Sequence, residues 1–168
     1  MEILQASPKD LVEAIYLLEK CIQDYINRSK RHWISLLPER QNIIDDIEGG
    51  TLFLAKQLGI TKGMIAIKEQ EPDSYKNLKW KTGGDKIMFI HYLAVHPGWA
   101  NGEVSKEMIT YLEKYARDNG YSSIRLDALV ENKILTEAIE SSGFDISGEF
   151  QTSYQQTPHK GYEKELAS

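Results

Sequence analysis

Apolar side chains follow two spacings along the chain, alternate positions in some segments and helical spacing in others. Residues 1–6 (MEILQA) alternate and predict a first strand. Ser7 and Pro8 are typical of a helix start, and apolar residues over 11–26 continue at helical spacing to about residue 30. A shorter second helix is predicted over 40–50, closed by two glycines.

The remainder of the chain is read in the same way. A polar, turn-rich segment, residues 70–85, predicts a surface insertion. The next segment, KIMFIHYLAV (86–95), is apolar at every parity, as expected of a central strand covered on both faces. A helix is predicted over 101–119 and another over 132–142. Further strands are predicted over 51–57, 63–69, 122–130, 143–151 and 161–166.

The predicted order is β-α-α-β-β-β-α-β-α-β-β. Consecutive strands in the first half can pair as an antiparallel meander. The two later β-α-β units require parallel pairing with right-handed crossovers. The fold class is therefore α/β, a mixed sheet with helices on both faces, in one domain spanning residues 1–168.

Net charge, cysteine content and hydrophobic segments indicate which classes of function the chain can have. The 20 Lys and Arg against 25 Asp and Glu give a net charge of −5, which argues against a nucleic-acid or membrane-surface binder. The single cysteine, Cys21, excludes an intramolecular disulfide and falls on the apolar face of the first helix. The N-terminus lacks the pattern of a signal peptide, and no apolar run reaches the length of a membrane span. These features predict a cytoplasmic protein.

Four stretches resemble the GNAT N-acetyltransferase superfamily, especially a bacterial branch with a Trp-containing turn: RHWISLLPER (31–40), IHYLAVHP (90–97), SIRLDALVEN (123–132) and SSGFDISGEF (141–150). The resemblance covers nearly the whole chain and implies a splayed mixed sheet. It implies acetyl-CoA as co-substrate, held in a V-shaped gap between the fourth and fifth strands. It also implies transfer of the acetyl group to a primary amine of a small molecule or a peptide.

The resemblance also assigns the residues that bind acetyl-CoA. Leu93, Ala94 and Val95 match the strand end whose backbone pairs with the pantetheine arm. Asn132 matches a position that often contacts the cofactor, and it is also a good helix N-cap. The pyrophosphate loop matches Ala100, Asn101, Gly102, Glu103, Val104 and Ser105, followed by Lys106.

Glu103 stands where the family has a glycine. A carboxylate about 4 Å from a phosphate charge would cost roughly 1 kcal/mol in water and roughly 4 kcal/mol at intermediate dielectric. Lys106 can offset that charge. A carboxylate in the first helical turn also stabilises the helix dipole, so phosphate binding and simple helix capping both remain open for this loop.

His91 lies two residues before Leu93, where some members of the superfamily place a proton-accepting residue. An ordinary imidazole titrates near pH ~6.5, which suits that work. A histidine packed inside a central strand is the alternative. His96, before Pro97, is interpreted as a turn residue, and Asp45, Asp46 and Glu48 as a solvated helix face.

One functional position departs from the family. Ile139 stands where a tyrosine commonly protonates the departing thiolate. Tyr154 and Tyr162 are other hydroxyls that the closing strands can bring to the cleft. A second hypothesis follows from these departures, a degenerate GNAT-fold protein acting as a CoA-binding or protein-binding module.

The histidine spacing and the net charge bear on metal binding and on partners. No metal site is predicted, because the four histidines at 32, 91, 96 and 159 lack zinc-site spacing. The partners expected are an amine acceptor and no nucleic acid or membrane, and a homodimer formed through a strand edge or an exchanged last strand stays open.

Overall fold

A computed structural model describes residues 1–152 and 155–166 of the chain. The described residues form a seven-stranded mixed sheet with helices on both faces, and the order of strands and helices predicted from the sequence is confirmed. The strands are β1 (Glu2–Gln5), β2 (Leu52–Gln57), β3 (Ile60–Lys68), β4 (Ile87–Val95), β5 (Ser123–Leu129), β6 (Asp145–Thr152) and β7 (Gln155–Glu165). The helices are α1 (Leu11–Asn27), α2 (Arg40–Gly49), α3 (Glu103–Asp118) and α4 (Lys133–Ser141), with short 3-10 turns between some elements.

The strand order is β1-β2-β3-β4-β5-β7-β6. β1 to β4 pair as the predicted antiparallel meander, and β4 pairs with β5 in parallel across α3. The expectation that β6 pairs in parallel with β5 is wrong. β7 lies between them, antiparallel to both, because two strands joined by a short connection pair as a hairpin.

Two local boundaries also differ from the sequence prediction. Residues 58–62 were expected to form a loop, but β3 begins at Ile60 and the β2–β3 connection is a two-residue turn at Leu58 and Gly59. Both turn residues have positive φ, which is typical of a tight hairpin. The first helix begins with a 3-10 turn over Pro8–Asp10 before α1 proper.

The core has one layer on each face of the sheet. α3 and α4 cover one face through side chains such as Met108, Leu112 and Ile139, each fully buried. α1 and α2 cover the other face, with Leu17 and Ile43 at the centre. This two-sided burial explains why β4 reads as continuously apolar and why the sheet is rigid enough to position a site at its centre.

Residues 70–85 lie mostly exposed at the surface, as their polarity predicts, but the segment is anchored to the sheet at two points. Tyr75 is 1% exposed, and its hydroxyl donates to Asp127 on β5. The backbone N–H groups of Lys81 and Thr82 donate to the carboxylate of Glu163 on β7. The segment is therefore docked against the β5–β7 side of the sheet by one buried tyrosine and one buried carboxylate.

Replacing Glu163 with alanine should lower the free energy of unfolding by about 2–4 kcal/mol, because the N–H groups of Lys81 and Thr82 lose a buried, charged acceptor. Burial raises the pKa of Glu163, but hydrogen bonds from Ser147, Lys81 and Thr82 outweigh burial and hold it below the ordinary value. The stabilisation is therefore present above the unfolded-state pKa and is lost as pH falls through the lowered one. Urea unfolding at pH 7 and pH 3 measures both effects.

The matched control is Glu165→Ala, an exposed carboxylate on the same strand, which should change the unfolding free energy by less than about 0.5 kcal/mol. Equal effects of the two substitutions would contradict the anchoring role of Glu163.

Candidate active site

The central feature is a gap between β4 and β5. Their parallel ladder begins at Ile87 opposite Ser123 and ends at Phe89 opposite Arg125. On the other side of β4, the register with β3 shifts so that His91 is an extra residue between two paired positions. A bulge of this kind bends a strand and increases its twist. β4 and β5 therefore separate beyond Phe89 and leave a cleft in the middle of the sheet.

The cleft has two adjoining parts. The large chamber, of about 490 Å³, lies against the start of α3, and the small chamber, of about 170 Å³, lies between His91 and β5. The two chambers share five lining residues, which are Tyr25, Trp33, Leu93, Asn132 and Leu135. Leu93 on β4 thus stands where the chambers meet, and a molecule in one chamber can react with a molecule in the other.

The β4 backbone offers hydrogen-bonding groups to this gap. The N–H of His96 donates to the Lys62 carbonyl, on the β3 side. Because the N–H and C=O of successive residues alternate sides in a strand, those of Leu93 and Val95 face away from β3. They therefore point into the opening, and the Val95 carbonyl accepts the Cys21 thiol there. An extended amide-bearing chain can pair with this free edge as an added strand.

The N-terminus of α3 faces the large chamber, which Ala100, Gly102 and Ser105 help to line. Asn101 accepts the N–H of Glu103, whereas the N–H groups of Val104 and Ser105 have no partner among the described residues. Gly102 holds a φ of +97°, which a residue with a Cβ rarely adopts. Free N–H groups and the positive end of a helix dipole form a site suited to an anion such as a phosphate.

Glu103 does not oppose that site. Its side chain is 68% exposed, and its carboxylate lies 3.7 Å from the Lys106 ammonium. It is absent from the residues that line either chamber. The repulsion considered from sequence therefore does not arise, since the carboxylate points to solvent beside its own helical turn.

If acetyl-CoA binds here, as the resemblance implies, Glu103→Gln should change its dissociation constant by less than about twofold, because water screens an exposed charge. Ser105→Asp is the contrasting variant, since Ser105 is buried and lines the large chamber. A carboxylate there should weaken binding by more than about tenfold. Calorimetric titration compares the two, and a large effect at Glu103 would contradict the observed orientation.

Cations surround the mouth of the large chamber. Arg28, Lys30 and Lys133 help to line it, against the two carboxylates Asp24 and Glu131. Arg28 is held by Asp24 at 2.8 Å, while the Lys30 ammonium lies 5.2 Å from the centre of the Trp33 indole. The small chamber, in contrast, has no lysine or arginine among its described lining residues. The cationic side chains are therefore concentrated in the lining of the large chamber.

Comparison with known proteins agrees with this geometry. The family model for the acetyltransferase (GNAT) family matches residues 14–144. The chain belongs to the GNAT acetyltransferase family. No curated protein sequence is close enough to count as a match.

Solved GNAT-type structures share the fold over nearly their whole length. An acetyltransferase from Streptococcus agalactiae is 17% identical with a TM-score of 0.78, covering 99% of this chain and 96% of that one. One from Listeria monocytogenes is 24% identical with a TM-score of 0.76, covering 98% and 94%. The protein yncA from Salmonella typhimurium, solved with its cofactor acetyl-CoA, is 14% identical with a TM-score of 0.71, covering 99% and 94%.

Within this GNAT fold, the residues expected from sequence divide into two groups. The first group lines the cleft, with His91 in the small chamber and the others in the large one: Leu93, Val95, Ala100, Gly102, Ser105 and Asn132. The second group lines neither chamber and consists of Ala94, Asn101, Glu103, Val104 and Lys106. Asn132 also caps α4, accepting the Leu135 N–H at 3.3 Å, so its two interpretations are compatible.

His91 is not enclosed in the core, since its side chain is 32% exposed and lines the small chamber. Its Nδ1 lies 3.8 Å from the carboxylate of Asp46. Asp46 was expected on a solvated helix face, and that expectation is wrong. Burial raises the pKa of Asp46, but His91, Thr51 and the Tyr92 hydroxyl outweigh burial and lower it, so the carboxylate stays charged behind the imidazole.

Several GNAT cleft residues were not found from sequence. Tyr25 on α1 lines both chambers, and burial raises the pKa of its hydroxyl to about 12, so it stays protonated. Cys21, one helical turn earlier, lies on the same wall. The only sequence signal for Tyr25 and Cys21 was their position in the helical pattern, which is equally typical of residues packed in a core. Ile139 is fully buried and Tyr162 donates to Glu140, while Tyr154 lies outside the described residues.

The Trp33 turn closes over the cleft and is fastened by Glu131. Trp33 is 7% exposed and lines both chambers, as a core side chain and a cleft wall at once. The Glu131 carboxylate accepts hydrogen bonds from the Trp33 indole, His32 and Thr157. The hydrogen bond from Trp33, above all, lowers the pKa of Glu131. These hydrogen bonds connect the Trp33 turn, the segment after β5 and strand β7 at the cleft.

Among residues 1–152 and 155–166, no three potential ligands cluster as they would around a metal ion. Within the same ranges, every helix is too short or too polar to cross a membrane.

Proposed function

We propose that this GNAT protein transfers an acetyl group from acetyl-CoA to a primary amine of a small molecule or a peptide. The observation that carries the proposal is the gap between β4 and β5, where a free strand edge and an anion-binding helix N-terminus lead to His91. Acetyl-CoA supplies the acetyl group in activated form, as a thioester.

The chain's own residues fit that co-substrate. The backbone groups of Leu93 and Val95 would pair with the amides of the pantetheine arm. The N–H groups of Val104 and Ser105 would bind a phosphate, and Gly102 permits the backbone to approach it closely. Asn132 lines the wall opposite β4. The other expected residues belong to the elements that carry these backbone groups. Ala94 lies on β4, Asn101 precedes α3, and Glu103, Val104 and Lys106 lie in its first turn.

His91 is the proposed base. An amine that attacks a carbonyl must first lose the proton that keeps it an ammonium ion at neutral pH. The bulge carries His91 out of the regular pleat and into the small chamber, and Asp46 behind the ring stabilises the protonated imidazole. A proton accepted at His91 can leave to solvent, because the side chain is partly exposed.

One observation favours the second candidate, a GNAT fold that binds CoA or a protein partner without transferring the acetyl group. Ile139 is fully buried at the position where the resemblance expects a tyrosine. Tyr25 lines the same cleft from α1, and its hydroxyl is the candidate to donate a hydrogen bond in place of the missing tyrosine, which supports retained activity.

The test is calorimetric titration with acetyl-CoA and desulfo-CoA, followed by thiol-release assays over a panel of primary amines. Micromolar binding, about −8 kcal/mol, with acetylation of at least one amine supports the transferase. Binding without transfer to any amine supports the CoA-binding module. No binding at millimolar acetyl-CoA contradicts both the transferase and the CoA-binding module, and leaves the protein-binding form of the second candidate.

A further inference from the structure

A second histidine, unused by the mechanism above, lines the small chamber. His159 on β7 is 3% exposed, and its Nδ1 lies 2.9 Å from Oδ2 of Asp127 on β5. The other oxygen of Asp127 accepts the Tyr75 hydroxyl. The Phe150 ring stacks on the imidazole, with centroids 4.9 Å apart and planes 11° from parallel. Three strands and the docked segment 70–85 thus hold this ring in one orientation.

The partners of Asp127 determine which nitrogen of His159 carries the proton. An ionised carboxylate only accepts hydrogen bonds, so the ring must donate to it from Nδ1. In the neutral imidazole, Nε2 then carries a lone pair and acts as an acceptor. Asp127 therefore works as a fixed orienting group for the ring, much as second partners orient functional histidines elsewhere.

That acceptor is unused in the described part of the chain. Nε2 of His159 is shielded from solvent and has no hydrogen-bond partner among residues 1–152 and 155–166. Leaving a buried polar atom unpaired costs stability, so a retained one calls for a ligand or a functional reason. The ring itself lines the small chamber, together with Asp127 and His91.

We propose that His159 binds the acceptor substrate: a small displacement of the ring or its neighbours on binding opens the shielded Nε2 to the chamber, where it accepts a hydrogen bond from the amine nitrogen. This inference rests on the proposed acetyl transfer and adds the acceptor's chemistry to it. An amine or ammonium carries the N–H donors that Nε2 requires, whereas a carboxylate offers none. The nearby Asp127 carboxylate and the lack of lysine or arginine in the chamber lining also favour a cationic group.

The remaining walls describe the rest of the acceptor. Ile90, Leu126 and Leu129 are buried aliphatic side chains that line the chamber, and Trp33 covers it. With a volume of about 170 Å³, the chamber accepts a short apolar group next to the amine. The acceptor class is therefore a primary amine on a small aliphatic or aromatic group, free or at the end of a peptide.

The direct test follows the His159 ring itself. Full-length protein labelled with ¹⁵N-histidine and saturated with desulfo-CoA is titrated by NMR with propylamine, benzylamine and alaninamide, and with 1-propanol as the control. We expect the Nε2 resonance, assigned by its loss in His159→Gln, to shift saturably with an amine and less with propanol. A resonance that no amine moves overturns the proposal.

Kinetics give a second, independent readout. His159→Asn keeps an N–H that can donate to Asp127 but removes the Nε2 acceptor. The KM for the amine should rise by about tenfold or more, with the acetyl-CoA dissociation constant unchanged. An unchanged KM with only a lower melting temperature marks a structural histidine and overturns the proposal, and the NMR titration of the wild-type protein decides if the asparagine variant does not fold.

The two proposals fail in different ways. If the wild-type protein acetylates no amine, the transferase proposal fails, while the NMR titration still decides whether His159 binds amines. If transfer occurs but His159 neither shifts nor affects KM, only the present inference is wrong.

Discussion

Replacing Gly102 with alanine is expected to weaken acetyl-CoA binding by about tenfold or more. Gly102 precedes α3 with φ at +97° and ψ at −21°, outside the regions that L-residues favour. A Cβ would find space, since its nearest contacts, in Ile134 and Ala138, lie at 3.7–3.8 Å. The cost is therefore backbone strain, about 1–2 kcal/mol, which is relieved by rotating the first turn of α3. Rotation turns the N–H groups of Val104 and Ser105 away from a bound phosphate.

Gly120 supplies a matched control at the opposite end of the same helix. Its φ is +80° and a Cβ there meets no atom within 4 Å. Gly120→Ala should lower the unfolding free energy about as much as Gly102→Ala and leave acetyl-CoA affinity unchanged. Titration calorimetry and thermal unfolding on both variants separate the two effects. Equal affinities for both variants would show that this helix start does not bind the phosphate.

Replacing His91 with glutamine should lower kcat by about 100-fold, the low end of what a positioned proton acceptor contributes. The dissociation constant for acetyl-CoA should change little, because His91 lines only the small chamber. Thiol-release assays at saturating amine give kcat, and calorimetry gives the affinity for acetyl-CoA. The substitution keeps a polar side chain on the β4 bulge, so fold stability should change little as well.

His96→Asn is the matched control for this experiment. His96 begins the turn after β4, where its Nδ1 accepts the Gly98 N–H at 3.0 Å, and asparagine can offer an oxygen in the same place. Its kcat should stay within about threefold of the wild-type value. A small kcat effect at His91, or parallel losses of activity and stability, would assign His91 a structural role.

Local chemistry accounts for what could be predicted from sequence. Helix ends were marked by Ser7, Pro8, Asn132 and the glycines at 49–50, and each mark lies at an observed boundary. The unbroken apolar run of β4 correctly indicated a strand buried on both faces, and the GNAT resemblance implied the cleft beside it. His96 was correctly interpreted as a turn residue.

The features that could not be predicted from sequence depend on contacts between residues far apart along the chain. The position of β7 between β5 and β6 follows from hairpin closure, and it alone brings His159 to face Asp127. Tyr75 lies in a polar segment and is buried only because Asp127 and a hydrophobic pocket receive it. Asp46 looks solvated along its helix until Tyr92 and His91 approach from β4. Each of these hydrogen-bond or ion-pair partners is 32 or more residues away along the chain, beyond any periodicity.

The burial of Cys21 has a kinetic consequence. Its thiol donates to the Val95 carbonyl on the wall of the large chamber, and burial, with Asp24 nearby, raises its pKa to about 12. At neutral pH almost none of it is thiolate, which makes it a poor acyl carrier. In the proposed reaction we therefore expect both substrates to be bound at once, in adjoining chambers. Double-reciprocal plots for acetyl-CoA and amine should intersect, and parallel lines, the sign of a ping-pong reaction, should not be seen.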